Sequence, residues 1–380
     1  MKPLHVLAAA IPFGLGPAGK LATLVEDAPW ISWYACGDEF DLSIFEPGAF
    51  RGHLWSRDRD ALRDFARSRH IDRAIVVLDP PLALLLEEIG IAVLYVDSLP
   101  FLWTDADLVP TRVTAYCAQL CLDLPKPAWR QLGSVRNLIW TQGIVPRDRP
   151  RWQNSKRVGQ FLVNFGGLSS PHSEGLSYAE AVLPPLLQAI DRSDCQKLMV
   201  TSSKAGVQVL RSVGQTAKGA STRIQLEFCT LPKKVFLREI GRSEIFLTSP
   251  GLTTLLETAG IQTPTILLPP QNLSQYSNER MHRMAFPEHE SILWPTKNLD
   301  FVSLEPHLQK GEELVVKRID HSLAQLRGDA EIREKLEIAF RMALARVRKC
   351  GVRTKSILDV IGGDGSAQIL EVLGGLLERT

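Results

Sequence analysis

The 380-residue sequence lacks the marks of several protein classes. No apolar run reaches about 18 residues, so we expect no helix that spans a bilayer. The six cysteines form neither CxxC pairs nor a cluster with histidine, which favours free thiols in a reducing compartment over disulfides or a zinc site. The formal net charge is only +2, so bulk electrostatics indicates neither a nucleic acid nor a membrane surface as a partner. We therefore expect a cytoplasmic protein that binds no nucleic acid.

What the sequence contains is an alternation of strand and helix patterns in a chain long enough for two domains. Apolar strands are predicted at 4–10, 30–36, 74–79, 91–97, 161–165, 198–201, 224–228 and 245–248. Helices are predicted at 17–26, 58–70, 82–88, across most of 320–348, and at 366–378. Continuous apolar strands that are each followed by a helix predict parallel sheets covered on both faces. The fold class is therefore α/β with two doubly wound, Rossmann-like domains.

Two smaller features fill out this outline. The segment 145–159 is rich in Pro, Arg, Lys, Asn and Gln, which predicts a linker between domains at 1–150 and 151–355. Cys117 and Cys121 lie four residues apart on a predicted helix face, and we interpret them as core residues.

The most informative stretch is 249–260, with the sequence SPGLTTLLETAG. It is predicted to be the end of a strand at Ser249, a turn at Pro250 and Gly251, and a helix that begins near Thr253 and Thr254. A helix N-terminus that follows a strand exposes backbone N–H groups suited to a phosphate, and the hydroxyls add donors. Glu257, one turn deeper, carries a carboxylate able to hold the two hydroxyls of a ribose.

The segment 264–279 continues this pattern with a second strand, PTILLPP, and then the amide side chains of Gln275 and Asn278 on a predicted loop. Together, residues 249–278 resemble the donor-binding signature of GT-B glycosyltransferases of the MurG and macrolide-glycosyltransferase type. The resemblance implies that the Gly/Ser turn holds the diphosphate, Glu257 the ribose, and Gln275 and Asn278 the donor sugar. Where such enzymes often have a histidine before the glutamine, this chain has Ser274.

The same resemblance assigns roles to other segments. It implies that Gly166 and Gly167, after the strand at 161–165, lie against the diphosphate or the reacting sugar. It implies that Cys229 and Leu231 hold the nucleotide base through backbone atoms. It also implies that both domains face one central cleft and that the last helix, within 356–380, packs back on the first domain.

Residues 14–19 (GLGPAG) formally satisfy GxGxxG after a strand. This motif is typical of a dinucleotide-binding oxidoreductase, the rival interpretation, although prolines at 12 and 17 stiffen the loop. In a GT-B enzyme, Gly14 and Gly16 would instead border the acceptor site.

The base that would accept the acceptor's proton is less evident. The loop 11–20 has no histidine, which relatives often carry there. Asp97 is our first candidate and Asp79 the second, because both follow strands of the first domain; either can equally be a structural cap. The Asp105-Ala106-Asp107 triplet lacks the preceding strand of a metal-diphosphate motif and is interpreted as chance.

The sequence thus predicts a glycosyltransferase that moves a sugar from a nucleotide-diphosphate donor, with UDP or dTDP as the nucleotide, to a small-molecule acceptor. We expect inversion, no metal and no cofactor besides the donor co-substrate, and a guess at the pathway is secondary metabolism. Two alternatives remain open: a nucleotide-sugar hydrolase or epimerase, and a non-catalytic partner of another glycosyltransferase. The sequence leaves the oligomeric state unknown.

Overall fold

The computed structural model describes residues 4–13, 15–37, 44–147, 157–168, 175–217, 223–261, 263–308, 312–350 and 355–375. The chain divides into two compact units. Unit 1 comprises Met1–Arg149 and Leu358–Thr380, and unit 2 comprises Pro150–Ile357.

Unit 1 is built on a seven-stranded parallel sheet with the order β3-β2-β1-β4-β5-β6-β7. Its strands are β1 His5–Ala10, β2 Ser32–Cys36, β3 His53–Leu54, β4 Arg73–Val77, β5 Ala92–Asp97, β6 Ala115–Gln119 and β7 Leu138–Thr141. Its helices are α1 Gly16–Asp27, α2 Arg59–Arg69, α3 Pro80–Glu88, α4 Lys126–Gly133, α13 Leu358–Ile361 and α14 Gly365–Gly375.

The two cores of unit 1 follow from the period of two along each strand. In β1, Val6 and Ala8 point into the core on one face of the sheet, and Leu7 and Ala9 point into the core on the other. Because both faces are buried, the strand has no polar position to alternate, as expected for a doubly covered parallel sheet.

The sequence prediction was wrong at Cys117. It was placed on a helix with Cys121, but Cys117 lies in β6 and Cys121 follows that strand. The strand sequence AYCAQ is buried throughout, and a five-residue apolar run does not distinguish a buried strand from a helix by periodicity. Burial raises the pKa of the Cys117 thiol to about 12, so it is protonated at neutral pH.

The end of the chain belongs to unit 1. The Gln142 N–H donates to Oε1 of Gln368 at 2.8 Å, and the Asp364 N–H donates to Oε1 of Gln142 at 3.0 Å. Ile369 and Leu373 of α14 are buried in the same core as α1. A Cβ on Gly365 would lie 2.1 Å from the Gln142 carbonyl oxygen, so this approach requires glycine.

Unit 2 contains a six-stranded parallel sheet with the order β10-β9-β8-β11-β12-β13. Its strands are β8 Arg157–Asn164, β9 Lys197–Thr201, β10 Gln225–Cys229, β11 Ser243–Thr248, β12 Thr265–Leu267 and β13 Glu290–Ser291. Its helices are α5 Leu176–Asp191, α6 Lys204–Ala217, α7 Lys233–Arg242, α8 Leu252–Thr258, α9 Leu273–Ala285, α10 Phe301–Leu308, α11 Glu312–Gln325 and α12 Ala330–Cys350. Strand β8 starts at Arg157, inside the segment predicted as a linker.

Both sheets follow the doubly wound order 3-2-1-4-5-6, with a seventh strand added in unit 1. The chain moves outward from the first strand to one edge and then returns to build the other half. The α/β fold class predicted from the sequence is confirmed. Among the described residues, no helix has the length and apolar character needed to cross a membrane.

Candidate functional site

The switch point of unit 2 lies between β8 and β11, where the strand order reverses. In open α/β sheets, ligands bind outside the carboxyl ends of the strands at such a point. The segments that follow β8 and β11, at this edge, are those predicted to hold the diphosphate.

Asn164, the last residue of β8, ties these segments together. Its Nδ2 donates to Oγ1 of Thr248 at 3.1 Å and lies 3.5 Å from Oγ1 of Thr254, and its Oδ1 accepts from the Gly166 N–H at 3.0 Å. The Ser249 N–H donates to the Asn164 carbonyl oxygen at 2.9 Å. One buried amide side chain therefore fixes the exits of both central strands. The sequence analysis assigned no role to this asparagine.

The Gly166-Gly167 turn is held by two serines that directly follow the neighbouring strand, β9. The Ser202 hydroxyl donates to the Gly166 carbonyl oxygen at 2.6 Å, and the Ser203 hydroxyl donates to the Gly167 carbonyl oxygen at 3.0 Å. Gly166 has φ +65°, and a Cβ there would meet no atom within 4 Å. The turn is thus rigid but has open space beside Gly166. Ser202 and Ser203 were missed, and their signal was two small polar residues directly after a strand.

Helix α8 begins after the turn at Ser249 and Gly251. Gly251 is the N-cap residue in an extended conformation, and Ser249 is buried. Thr253 and Thr254 lie half-buried in the first turn. The helix has only seven residues, so its dipole offers less stabilisation to an anion than a longer helix would, and donors from the neighbouring loops matter correspondingly more.

Glu257 is 7% exposed and forms an ion pair with Lys233, with 3.1 Å between Oε1 and Nζ. Lys233 is the first residue of α7 and was not singled out in the sequence. Lys233 lies four residues after the end of β10, and only the packing of α7 beside α8 brings it to Glu257.

Gln275 and Asn278 lie in the first turns of α9, where the sequence analysis placed a loop. That prediction was wrong because Asn272 caps the helix: its Oδ1 accepts from the Gln275 N–H at 3.1 Å. The helix buries both amides. Oε1 of Gln275 accepts from the Gln271 N–H at 3.2 Å, and Nδ2 of Asn278 donates to the Pro250 carbonyl oxygen at 3.0 Å.

Asn278 therefore connects α9 to the turn before α8. Its Oδ1 is buried without a hydrogen-bond partner among the described residues. This oxygen is an unused hydrogen-bond acceptor beside the turn predicted to hold the diphosphate. A direct contact of Gln275 or Asn278 with a donor sugar stays a prediction.

Cys229 is the last residue of β10, and Leu231 follows that strand at the same edge of the sheet. Both pack against the apolar cluster that includes Leu162 and Phe246. Burial raises the pKa of the Cys229 thiol to about 11, so this thiol is neutral at physiological pH. Their proposed backbone contact with a nucleotide base stays a prediction.

Three solved structures resemble the whole chain at low sequence identity. A UDP-glucosyltransferase from Polygonum tinctorium, capable of glucosylating indoxyl and solved in complex with 3,4-dichloroaniline, is 14% identical with a TM-score of 0.53 over 90% of this chain and 99% of its own. MurG from Acinetobacter baumannii is 12% identical with a TM-score of 0.51, over 98% and 100%. A putative UDP-N-acetylglucosamine 2-epimerase from Listeria monocytogenes is 12% identical with a TM-score of 0.56, over 100% and 98%.

The chain has the GT-B fold. The resemblance noted in residues 249–278 is confirmed at the level of the fold. No protein-family model matches the sequence, and no curated protein matches it significantly. Because the GT-B neighbours include transferases and an epimerase, the fold by itself does not select the reaction.

In unit 1 of this GT-B protein, Asp97 is fully buried at the end of β5. Its Oδ2 accepts from the Tyr116 hydroxyl and from Nε1 of Trp103, both at 2.6 Å, and its Oδ1 accepts from the Leu99 N–H at 3.0 Å. Burial raises its pKa to about 6, against the opposing effect of these hydrogen bonds. The pKa suits a base, but the carboxylate is enclosed by its donors, and its catalytic role stays a prediction.

Asp79, the second candidate base, caps a helix and is paired with an arginine. It is the N-cap of α3, where Oδ1 accepts from the Leu82 N–H at 3.3 Å, and its Oδ2 lies 2.8 Å from Nη1 of Arg57. Gly16 is the first residue of α1, and Gly14 lies outside the described residues.

The Asp105-Ala106-Asp107 triplet is used locally. Asp107 accepts from the N–H and hydroxyl of Thr104, both at 2.7 Å, and Asp105 pairs with Arg130 at 2.5 Å. Across the part of the chain that the structure describes, no three side chains of His, Cys, Asp or Glu come together in a way that would hold a metal ion.

Proposed function

We propose that this protein is a glycosyltransferase that binds a nucleotide-diphosphate sugar at the switch point of unit 2 and transfers the sugar to a small-molecule acceptor. One observation carries the proposal. The buried side chains of Asn164, Ser202 and Asn278 hold the turns at Gly166 and Pro250 side by side at the end of the sheet where ligands bind.

The roles follow the order of these segments along the donor. The turns at 166–167 and 249–251, with the hydroxyls of Thr253 and Thr254, bind the diphosphate. Glu257 accepts hydrogen bonds from the ribose hydroxyls, and the backbone at Cys229 and Leu231 holds the base. Gln275 and Asn278 bind the sugar, or they shape the turn at 249–251 that binds the diphosphate.

The reaction forms a bond between an acceptor oxygen or nitrogen and C1 of the sugar while the bond from C1 to the diphosphate oxygen breaks. The acceptor's proton passes to a base, and the negative charge that develops on the leaving diphosphate is stabilised by fixed donors. Attack opposite the leaving group inverts C1. We propose that the donors at both turns stabilise the leaving group without a metal ion.

The first test is calorimetric binding of UDP, dTDP and GDP to the purified protein without added metal. We expect one nucleoside diphosphate to bind, and Glu257→Ala to weaken it by roughly 1–3 kcal/mol because the ribose hydroxyls lose their acceptor. Glu227→Ala is a matched control, because Glu227 also pairs with a lysine at 2.9 Å but lies on β10. Absence of binding to all three nucleotides would refute the proposal. NAD is included, since binding of NAD alone would favour the oxidoreductase interpretation.

A hydrolase or epimerase acting on the same donor is the second candidate. This candidate is favoured because both predicted bases already have partners within unit 1: Asp97 is enclosed by three donors, and Asp79 is paired with Arg57. Neither activity needs a base in unit 1 that takes a proton from a bound small-molecule acceptor. Incubation with the nucleotide sugar and no acceptor separates the candidates: a free sugar or an epimer indicates the second, and a donor that stays unchanged until an acceptor is added indicates the first.

A further inference from the structure

The ion pair between Lys233 and Glu257 joins two segments that are far apart in sequence. Lys233 begins α7, directly after the loop that follows β10, and Glu257 lies near the end of α8. Both side chains are largely buried, with 14% and 7% of their surface exposed, so water screens this pair less than a surface pair. The contact links the segment assigned to the nucleotide base with the helix assigned to the ribose.

The position of Lys233 is unfavourable for its own helix. A helix N-terminus carries a partial positive charge, and acidic residues are the ones that stabilise it. Helix α7 begins with two lysines, Lys233 and Lys234, and has no acidic residue in its first turn and no side-chain cap. The stability of α7 therefore does not account for a lysine at this position, whereas the contact with Glu257 does.

We propose that Lys233 is a positioning residue that holds Glu257 ready for the ribose of the donor. This inference rests on the proposed function, since it assumes that Glu257 binds the ribose. The ammonium contacts Oε1 and fixes the carboxylate before the nucleotide arrives. A carboxylate has about four lone-pair positions, so Glu257 can accept from the ammonium and from ribose hydroxyls at the same time.

The advantage is preorganisation. A free glutamate loses side-chain entropy when it orders around a ligand, and a glutamate already held by a lysine loses less.

The test is a double-mutant cycle in which calorimetry measures the affinity for whichever of UDP, dTDP or GDP binds the wild type. We expect Lys233→Met to weaken binding about tenfold, in line with one charge-assisted contact. In the Glu257→Gln background the same substitution should have little further effect, because Lys233 acts through Glu257. Lys233→Arg should recover part of the affinity.

A second readout concerns the ribose itself. Where UDP or GDP binds, the wild type should prefer it to its 2′-deoxy analogue. Where dTDP binds, which already lacks the 2′-hydroxyl, the comparison is with its 3′-deoxy analogue. Lys233→Met should reduce the preference in either case. Lys234→Met is the matched control, since it removes a neighbouring exposed cation from the same helical turn and should leave affinity unchanged. Thermal unfolding of each variant separates loss of affinity from loss of the fold.

Three results would overturn the inference while leaving the proposed function standing. They are unchanged or tighter binding in Lys233→Met, an equal loss in both backgrounds, and an undiminished preference for the nucleotide over its deoxy analogue. An equal loss would mean that Lys233 contacts the nucleotide directly. If the wild type binds none of the nucleotides, the proposed function fails and the inference fails with it.

Discussion

Unit 1 and unit 2 have the same strand order but use the carboxyl edges of their sheets differently. In unit 2, Asn164 at the end of β8 and Ser202 after β9 are buried neutral residues, and both form hydrogen bonds to the glycine turn at Gly166. In unit 1, two of the buried residues at the carboxyl edge are carboxylates: Asp79 follows β4, Asp97 ends β5, and both are held by donors from their own unit. Strand order therefore determines where polar groups gather, whereas side-chain contacts determine whether a ligand can use them.

The largest expected effect is on the stability of unit 1. Asp97→Leu should lower the free energy of unfolding by roughly 3–5 kcal/mol, because the donors on Leu99, Trp103 and Tyr116 lose their acceptor in the core. Urea unfolding measures this change. The control Tyr116→Phe removes one donor and should cost only about 1 kcal/mol. Loss of turnover at unchanged stability would instead support Asp97 as the catalytic base.

A pH effect follows from the same carboxylate. Its pKa is raised from 3.8 to about 6, so between these values the folded protein binds more protons than the unfolded chain. The free energy of unfolding should therefore fall as pH rises from about 4 to about 6, by about 3 kcal/mol, and this contribution should stay constant above pH 6. The measurement is the stability of the wild type minus that of Asp97→Asn across this range. A difference that stays level or rises would contradict the assignment.

In unit 2, Asn164→Leu should lower stability by about 2 kcal/mol and also weaken nucleotide binding at least tenfold. The reason is that the exits of β8 and β11 lose their common hydrogen-bonding side chain. Gln160→Leu is the matched control: this amide is buried on the same strand and contacts Glu239 at 3.3 Å. It should destabilise the protein without changing affinity, and equal losses of affinity in both variants would argue against the switch-point site.

The smallest effect is expected at the glycine turn. Gly166→Ala should cost about 1 kcal/mol, because φ is +65° while the space around the added methyl group is empty. Gly48→Ala in unit 1 is a matched control with φ +81° and the same empty surroundings. Both variants should lose similar stability in thermal unfolding, but only Gly166→Ala should weaken nucleotide binding. Equal affinities would remove the turn from the donor site.

The sequence predicted the architecture well where apolar strands were long and bounded by turns. Strand β11 and the turn before α8 were recognisable because the β-favouring run IFLT at 245–248 is followed by Ser249, Pro250 and Gly251. The first turns of α9 were missed because Asn272 and Ser274 are as common in loops as at helix caps, and only the bond from Oδ1 of Asn272 to the Gln275 N–H decides between them.

The candidate site was predictable in part for the same reason. Local motifs such as Glu257 and the Gly166-Gly167 pair are visible in a few consecutive residues. Other contacts of the site join distant parts of the chain. Lys233 pairs with Glu257 across 24 residues, Ser202 bonds to Gly166 across 36, and Asn278 bonds to Pro250 across 28. No local pattern carries such pairings.

By itself, the sequence determined the α/β class, the two doubly wound sheets and the segments that gather at their carboxyl edges, because these follow from the period and length of apolar runs. The tertiary structure alone decided which polar groups meet there. It gave Glu257 a lysine partner, gave Asn278 the Pro250 carbonyl and enclosed Asp97 among its donors. The physical reason is that a buried polar group must find a partner, and which partner it finds depends on how distant segments pack.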